Sequence, residues 1–290
     1  MLRRLILILL PLLLSGCARE QPGRVVVGSK NFTEQLILGE LVAQHIEART
    51  GLEVERRFNL GGTFICHQAL VAGQIDVYVE YTGTALTAIL KQPPERNPDQ
   101  VFRTVQEQYR PLGLEWTLPL GFNNTFAMVI RGEDARRHNL TTISDIARVA
   151  PRWRAGFGYE FTERADGLKG LVETYGLKFG SPPRAMELGL LYRALTEKQV
   201  DIVAGNSTDG LIEALDLVAL EDDRHYFPPY FAAPVARRAT LERLPELRRA
   251  LAELAGKISE EEMRRLNYAV EGESRDLRGV VREFLRSKGL

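Results

Sequence analysis

The chain has 290 residues, of which 44% are hydrophobic and 26% charged, an ordinary balance for a globular protein with one large or two medium domains. Its 38 basic and 38 acidic residues cancel, so no net charge favours nucleic acid or an acidic polymer as a partner. The four histidines follow no metal-binding spacing, and no nucleophile-elbow motif is present. The sequence therefore predicts no catalytic residue, no metal site and no cofactor, and argues against an exported enzyme.

The N-terminal residues have the pattern of an export signal. Residues 1–16 join a basic start to an apolar run too short to span a membrane, which predicts a signal peptide. The LSGC ending resembles a bacterial lipobox, which implies that Cys17 is lipidated and that residues 17–23 form a tether; a chance cysteine in a plain signal peptide is the alternative. We expect an exported, periplasmic or cell-surface lipoprotein. Cys66 is then the only other cysteine, and we expect it to be buried rather than catalytic.

The first half of the chain alternates between strand and helix patterns. Short apolar runs at 24–28, 52–58 and 75–81 predict strands, and the segments between them have helical periodicity. Such alternation predicts an α/β layer with a mostly parallel sheet, whose ligands bind beyond the carboxyl ends of the strands. Asn31 followed by Glu34 predicts a capping box at the first helix.

A strand, a turn and a helix follow one another at residues 77–90. Tyr78 and Tyr81 lie on the strand, and residues 82–84 break the alternation before a helical pattern begins. A corner of this kind combines aromatic rings with free helix N–H groups, which suits a ligand with an anionic and a cationic end. The alternative is that both tyrosines are ordinary strand aromatics.

A second α/β unit follows a polar segment near residues 121–130. We expect residues 24–124 and 229–290 to form one lobe and residues 125–228 the other, with two crossings between them. Two helices, near 241–254 and 280–285, are expected to close the chain. A cleft between two lobes is the default ligand site.

Seven segments together resemble a known family. The sequence is similar there to the substrate-binding proteins of osmoprotectant ABC importers, which take up glycine betaine, choline, carnitine and related quaternary amines; the segments are 29–34, 60–63, 78–84, 123–125, 163–167, 207–210 and 227–230. They occur in the family's order and cover nearly the whole mature chain. The resemblance implies a two-lobed periplasmic-binding-protein fold of type II, a monomer, a small-molecule ligand and an ABC permease as partner. It also implies that Lys30, Thr84 and Arg164 contact the ligand carboxylate, a clamp that charge-assisted hydrogen bonds would strengthen.

The resemblance further implies an aromatic cage for the quaternary ammonium group. Tyr81, Phe126 and Tyr230 match cage positions, and each favourable cation–π contact is worth ~0.5–2 kcal/mol. Phe126 stands where many members have tyrosine, and Gly205 with Asn206 stands where another ring is frequent, so the cage looks thinned on the second lobe. The ligand is then either glycine betaine bound weakly or a larger betaine-type or amino-acid-derived compound, bound for transport or for sensing. Polar contacts to such a ligand are expected from Asn123, Asn206 and Thr208.

Overall fold

The computed structural model describes residues 23–290, which form two five-stranded sheets. The predicted signal peptide, nearly all of the tether and the lipidation site at Cys17 lie outside the described residues. The strands are β1 (Arg24–Gly28), β2 (Glu53–Arg57), β3 (Val77–Tyr81), β4 (Leu114–Trp116), β5 (Phe126–Arg131), β6 (Ala155–Gly158), β7 (Arg184–Met186), β8 (Ile202–Asn206), β9 (Leu217–Leu220) and β10 (Ala232–Arg237).

Helices cover the faces of both sheets. They are α1 (Thr33–Thr50), α2 (Thr63–Val71), α3 (Thr82–Thr84), α4 (Pro98–Tyr109), α5 (Gly132–His138), α6 (Tyr159–Glu163), α7 (Leu168–Tyr175), α8 (Leu191–Thr196), α9 (Leu211–Ala214), α10 (Arg238–Arg243), α11 (Pro245–Glu253), α12 (Glu260–Glu271) and α13 (Leu277–Lys288). A π-helix, Ala85–Ile89, continues α3, and single 3₁₀ turns lie at Arg110–Leu112, Ser144–Arg148, Ala150–Arg152 and Leu188–Leu190. Among the described residues, no helix is both long and apolar enough to cross a membrane.

Each sheet is mixed rather than mostly parallel. The first has the order β2-β1-β3-β10-β4 and the second the order β7-β6-β8-β5-β9. Their parallel pairs are β1 with β2 and β3, and β6 with β7 and β8. The antiparallel pairs are β10 with β3 and β4, and β5 with β8 and β9. Both β10 and β5 follow a strand of the other sheet in the chain, so no crossover helix of the kind that parallel neighbours need precedes them. The prediction of α/β layers is confirmed, and the prediction of mostly parallel sheets is wrong.

The chain crosses twice between the two sheets, once between β4 and β5 and once between β9 and β10. We call the layer around the first sheet the first lobe and that around the second sheet the second lobe. In the first lobe, α1 packs over the sheet and against α11, α12 and α13. Fully buried apolar side chains from β1 and from α1, such as Val27 and Ile37, form the core between them. This packing fixes the N-terminus of α1 at the edge of the sheet that faces the second lobe.

Two sequence expectations about helices are wrong. Four helices, not two, end the chain; α12 was missed although Ser259 and Glu262 form a capping box at its start. The capping box predicted at Asn31 and Glu34 is absent, because α1 begins after Phe32 with no side-chain cap. Glu34 is 2% exposed, and its carboxylate points into the protein interior instead.

Cys66 lies on α2 and is fully buried, as predicted. Burial raises the pKa of its thiol to about 12, so the thiolate is scarcely populated at neutral pH.

Candidate ligand-binding site

A cleft of about 490 Å³ lies between the two lobes. Seven of the nine side chains that the sequence analysis named as ligand contacts line it: Lys30, Tyr81, Thr84, Phe126, Arg164, Asn206 and Tyr230. Asn123 and Thr208 do not. The Asn123 side chain accepts a hydrogen bond from the backbone N–H of Tyr230 (2.6 Å), and it is the neighbouring Asn124 that lines the cleft.

Arg164 directly follows α6 and is held by partners from both lobes. Its Nε and Nη2 donate to the two carboxylate oxygens of Asp166 (2.9 and 2.6 Å), and its Nη1 donates to Thr84 Oγ1 in the first lobe (3.2 Å). Its guanidinium carbon lies 5.0 Å from the ring centre of Phe126 and 5.8 Å from that of Tyr230. A guanidinium has more N–H groups than these three bonds use, so donors remain for an anionic ligand.

Asp166 is fully buried and accepts a further hydrogen bond from the hydroxyl of Tyr230 (2.5 Å). Burial acts to raise the pKa of this carboxyl, but the charge and hydrogen bonds of Arg164 outweigh it and hold the pKa below the usual value. Asp166 is therefore ionised at neutral pH and fixes the orientation of the arginine fork.

Lys30 follows β1 and is neutralised within the first lobe. Its Nζ donates to Glu80 Oε1 (2.6 Å) and Thr63 Oγ1 (2.9 Å) and lies 5.2 Å from the ring centre of Tyr81. Glu80 is fully buried. An ammonium group has one N–H beyond these two bonds, which leaves Lys30 able to donate to a ligand.

A carboxylate from the second lobe reaches the same corner. Glu160 on α6 accepts a hydrogen bond from the backbone N–H of Thr63, the first residue of α2 (2.5 Å). The approach requires glycine at position 62, because a Cβ there would collide with Glu160 Oε1. The two lobes are thus joined across the cleft by Glu160–Thr63 and by Arg164–Thr84.

The second lobe contributes more rings to the cleft than the sequence predicted. Tyr159, Phe161 and Tyr192 line it beside Phe126. The Tyr192 hydroxyl occupies the space next to Gly205, where a Cβ would collide with it. A ring from α8 therefore lies beside the position at which the sequence indicated a missing aromatic.

Glu34 is a central hydrogen-bonding residue that the sequence analysis missed. Its Oε1 accepts from Tyr81 Oη (2.6 Å) and Asn124 Nδ2 (2.8 Å), and its Oε2 accepts from Thr208 Oγ1 (2.5 Å) and Asn267 Nδ2 (3.0 Å). Burial raises the pKa of this carboxyl, and the four hydrogen bonds act in the opposite direction. Glu34 thereby ties α1 and β3 of the first lobe to the second lobe through Thr208 and to α12 through Asn267.

Five carboxylates line the cleft: Glu34, Glu160, Glu187, Asp209 and Glu271. Among residues 23–290, none of them forms a salt bridge. The two cations of the cleft, Lys30 and Arg164, are each paired with a buried carboxylate behind them. The cleft wall therefore carries excess negative charge and suits a ligand with a cationic group.

Comparison with known proteins agrees with this geometry. Residues 23–287 match the family model described as the substrate-binding domain of ABC-type glycine betaine transport systems. The carnitine transport binding protein OpuCC of Listeria monocytogenes is 35% identical over 94% of this chain and 89% of its own length. The ergothioneine transport permease/ergothioneine binding protein EgtU of Helicobacter pylori is 36% identical over 92% of this chain, which spans 48% of that larger protein.

A solved structure described as a glycine betaine/carnitine/choline ABC transporter shares the fold. It is 35% identical in sequence, the match covers 91% of this chain and 98% of that one, and the TM-score is 0.75. This match confirms the predicted type II periplasmic-binding-protein architecture, and the family binds solutes for transport rather than acting as an enzyme. The chain therefore belongs to the family of substrate-binding domains of ABC-type glycine betaine transport systems.

Proposed function

We propose that the protein captures a quaternary-amine osmoprotectant, glycine betaine or a related betaine, in the cleft and delivers it to an ABC permease. No bond in the ligand is made or broken. The family and its relatives are named for glycine betaine, carnitine and ergothioneine, all of which carry a trimethylammonium group and a carboxylate. The observation that carries the proposal is the contact of Arg164 with Thr84, which places a buried cation of one lobe against a hydroxyl of the other.

We propose that the ligand carboxylate binds to Arg164, Thr84 and Lys30. Each cation has N–H groups left over from its protein hydrogen bonds, and Asp166 and Glu80 hold the two charges in place. Hydrogen bonds between charged groups are about twice as strong as neutral ones. Because Arg164 and Lys30 belong to different lobes, the carboxylate can bind both only when the cleft is closed.

Tyr81, Phe126 and Tyr230 are proposed to form the cage for the ammonium group. Each of these rings has a protein cation near it, Lys30 at Tyr81 and Arg164 at the other two. All three rings line the cleft, and the face of an aromatic ring attracts an ammonium group.

The remaining parts of the proposal concern location and assembly. We propose that residues 1–16 direct export, that Cys17 carries a lipid anchor with residues 17–23 as the tether, and that the protein is periplasmic or on the cell surface. Residues 24–124 and 229–290 would move against residues 125–228 as the cleft closes around the ligand, and a monomer would present the closed form to the permease.

Calorimetric titration of the mature chain with glycine betaine, choline, carnitine and proline betaine tests the proposal. We expect a carboxylated betaine to bind at micromolar affinity or better, and Arg164→Ala to weaken it by about 100-fold or more, since a lost charged hydrogen bond costs about 1.5–3 kcal/mol and the pair also closes the cleft. Arg148→Ala is the matched control, because Arg148 is exposed and its contacts, with Asp145 and the backbone carbonyl of Asn139, lie on the surface of the same lobe. Binding of choline alone would refute the carboxylate clamp, and binding of none of the four would refute the function.

A further inference from the structure

The outer face of α2 is apolar although it lies at the protein surface. The helix, Thr63–Val71, contains no charged residue. Phe64, Ile65 and Val71 are between 40% and 56% exposed, and Gln68 is the one polar side chain among the exposed residues of the helix. A surface helix normally carries charged and polar residues on its outer side, and a helix that is apolar on both sides is normally buried. The outer face of α2 is therefore suited to contact with a partner.

The second lobe has three more exposed apolar side chains on the other side of the cleft. Tyr159 begins α6, and Leu188 and Leu190 lie on the 3₁₀ turn; they are between 39% and 54% exposed. Tyr159 and Leu188 line the cleft together with Ile65 of the first lobe, so the two apolar surfaces meet at the mouth of the cleft.

We call these six side chains the mouth patch: Phe64, Ile65 and Val71 of the first lobe and Tyr159, Leu188 and Leu190 of the second. They are six of the ten large hydrophobic residues that are exposed within residues 23–290. The exposed apolar surface is thus concentrated at one place rather than scattered, and such concentration marks an interaction site.

The mouth patch is continuous with the contact that joins the two lobes. Glu160 of the second lobe accepts a hydrogen bond from the backbone N–H of Thr63 in the first (2.5 Å). Tyr159 directly precedes Glu160, and Phe64 and Ile65 directly follow Thr63. The contact that joins the lobes therefore also brings the two halves of the patch together, and movement of the lobes apart would separate them.

We propose that the mouth patch docks the closed protein onto apolar side chains on the extracytoplasmic surface of its ABC permease. This inference rests on the proposed function and specifies the surface that the partner recognises. A permease that accepts only captured solute has to distinguish the closed form from the open one. A surface made by both lobes allows this, because it is complete only when the lobes are joined. Large aliphatic and aromatic side chains also suit the role, since they form the apolar centres of protein interfaces.

Phe64→Gln and Leu190→Gln test the proposal with one variant in each lobe. Both residues are exposed and neither lines the cleft, so calorimetric titration with glycine betaine and carnitine should give affinities within about twofold of the parent chain. Uptake of the tighter-binding of these two, radiolabelled, is measured in cells in which the variant replaces the native gene. We expect uptake to fall by about tenfold or more, the effect of losing a residue central to an interface. Uptake at the parent rate by either variant would overturn the inference.

Leu112→Gln is the matched control. Leu112 is 44% exposed on the first lobe and lies outside the mouth patch, so its replacement removes the same kind of surface from a different place. We expect both binding and uptake to stay at the parent level. A similar loss of uptake in this variant would show that the effect is not specific to the patch, and would also overturn the inference.

Two measurements on the mature chain without its lipid distinguish the permease from other occupants. We expect a monomer in analytical ultracentrifugation with and without the betaine, and no sedimentation with vesicles of phosphatidylglycerol and phosphatidylcholine. A dimer that Phe64→Gln dissociates would assign the patch to a second copy of the chain, and vesicle binding that Phe64→Gln abolishes would assign it to lipid. Either result overturns docking on the permease.

The outcomes separate this inference from the function on which it rests. Intact betaine binding with unchanged uptake in the two variants refutes the mouth patch as a docking surface and leaves the transport function standing. Failure of the parent chain to bind glycine betaine or carnitine refutes both.

Discussion

The two cations of the cleft, Lys30 and Arg164, are both buried and both paired with a carboxylate, but their other contacts differ. The Nζ of Lys30 donates to Glu80 and Thr63, both in its own lobe. Arg164 is paired with Asp166 in its own lobe and also donates to Thr84 across the cleft. The Lys30–Glu80 ion pair therefore does not depend on how the two lobes are placed. The contact between Arg164 and Thr84 does, because its two residues belong to different lobes.

This difference separates stability from closure. Removing one partner of a buried pair leaves an uncompensated charge, so both cations stabilise the fold of their own lobe. Of the contacts that these two cations make, the one between Arg164 and Thr84 crosses between the lobes and would therefore contribute to the proposed equilibrium between open and closed forms. A ligand shifts such an equilibrium only through contacts that differ between the two forms.

The largest effect is expected from Lys30→Met. The substitution leaves Glu80 fully buried with only its hydrogen bonds from Tyr78 Oη (3.1 Å) and the Tyr81 N–H (2.7 Å). We expect the free energy of unfolding to fall by about 3–5 kcal/mol in urea denaturation.

The double variant Lys30→Met/Glu80→Gln supplies the control. It removes the stranded charge, its amide oxygen can still accept from the Tyr81 N–H, and its NH2 group can donate to the Tyr78 hydroxyl, so it should recover most of the lost stability. A loss below about 1 kcal/mol in the single variant, the level of an exposed pair, would show that Lys30 and Glu80 are not a buried ion pair in solution.

A smaller effect, on binding alone, is expected from Gly62→Ala. The backbone angles at Gly62 (φ −79°, ψ −169°) are accessible to alanine, so the first lobe itself is not strained. The added methyl would collide with Glu160, which belongs to the other lobe and reaches this position only when the cleft is closed. We expect affinity for the ligand to fall by about tenfold while the free energy of unfolding changes by less than about 0.5 kcal/mol.

Two comparisons sharpen this test. In a Glu160→Ala background the Gly62→Ala substitution should have no further effect, because the collision is gone. Gly279→Ala on α13 is the control, since Gly279 does not line the cleft and a methyl group there meets the side chain of Asp276 in the same lobe. Equal losses from the two alanine variants would mean that crowding at Glu160 is not the cause.

Local sequence patterns place two residues of the proposed clamp at one sheet edge, because both residues follow strands. Lys30 lies two residues after the end of β1, and Thr84 lies three residues after the end of β3. Their common position at one sheet edge therefore follows from the alternation of strands and helices. Arg164 needed the family resemblance, since nothing in its own segment indicates that it reaches Thr84, a residue 80 positions away.

Glu34 shows where local patterns fail. Its spacing from Asn31 has the form of a capping box, yet its partners Tyr81, Asn124, Thr208 and Asn267 are 47, 90, 174 and 233 residues away in sequence. Tertiary hydrogen bonds of such separation leave no periodic trace in the sequence. The sequence analysis also missed α12. The capping box at the start of α12 can be recognised in the sequence. Nothing in that segment indicates that Asn267 and Glu271 of the same helix would line the cleft.

The smallest effect is expected at Asp209, whose carboxylate, unlike that of Asp166, forms no ion pair among the described residues. Burial and Arg164 together leave the pKa of Asp166 lowered, whereas burial without a basic partner leaves the pKa of Asp209 raised. Asp166 therefore adds stability above the unfolded-state pKa of about 3.9, and this stability is lost as pH falls through its folded pKa. Asp209 has the opposite sign: the folded state holds its proton more tightly, so its contribution declines as pH rises through its folded pKa.

Asp209→Asn is consequently expected to raise the free energy of unfolding at neutral pH, with the gain vanishing as pH approaches about 4. The asparagine oxygen can still accept from Tyr192 and from the Asn206 backbone, so the two hydrogen bonds to Oδ2 are kept. Asp166→Asn is expected to lower the free energy of unfolding at neutral pH, with the loss shrinking in acid. Urea denaturation of both variants from about pH 4 to pH 8 measures the two slopes. Slopes of the same sign would mean that pairing with Arg164 does not distinguish the two carboxylates, whereas opposite slopes would show that burial without a cationic partner sets the pKa of Asp209.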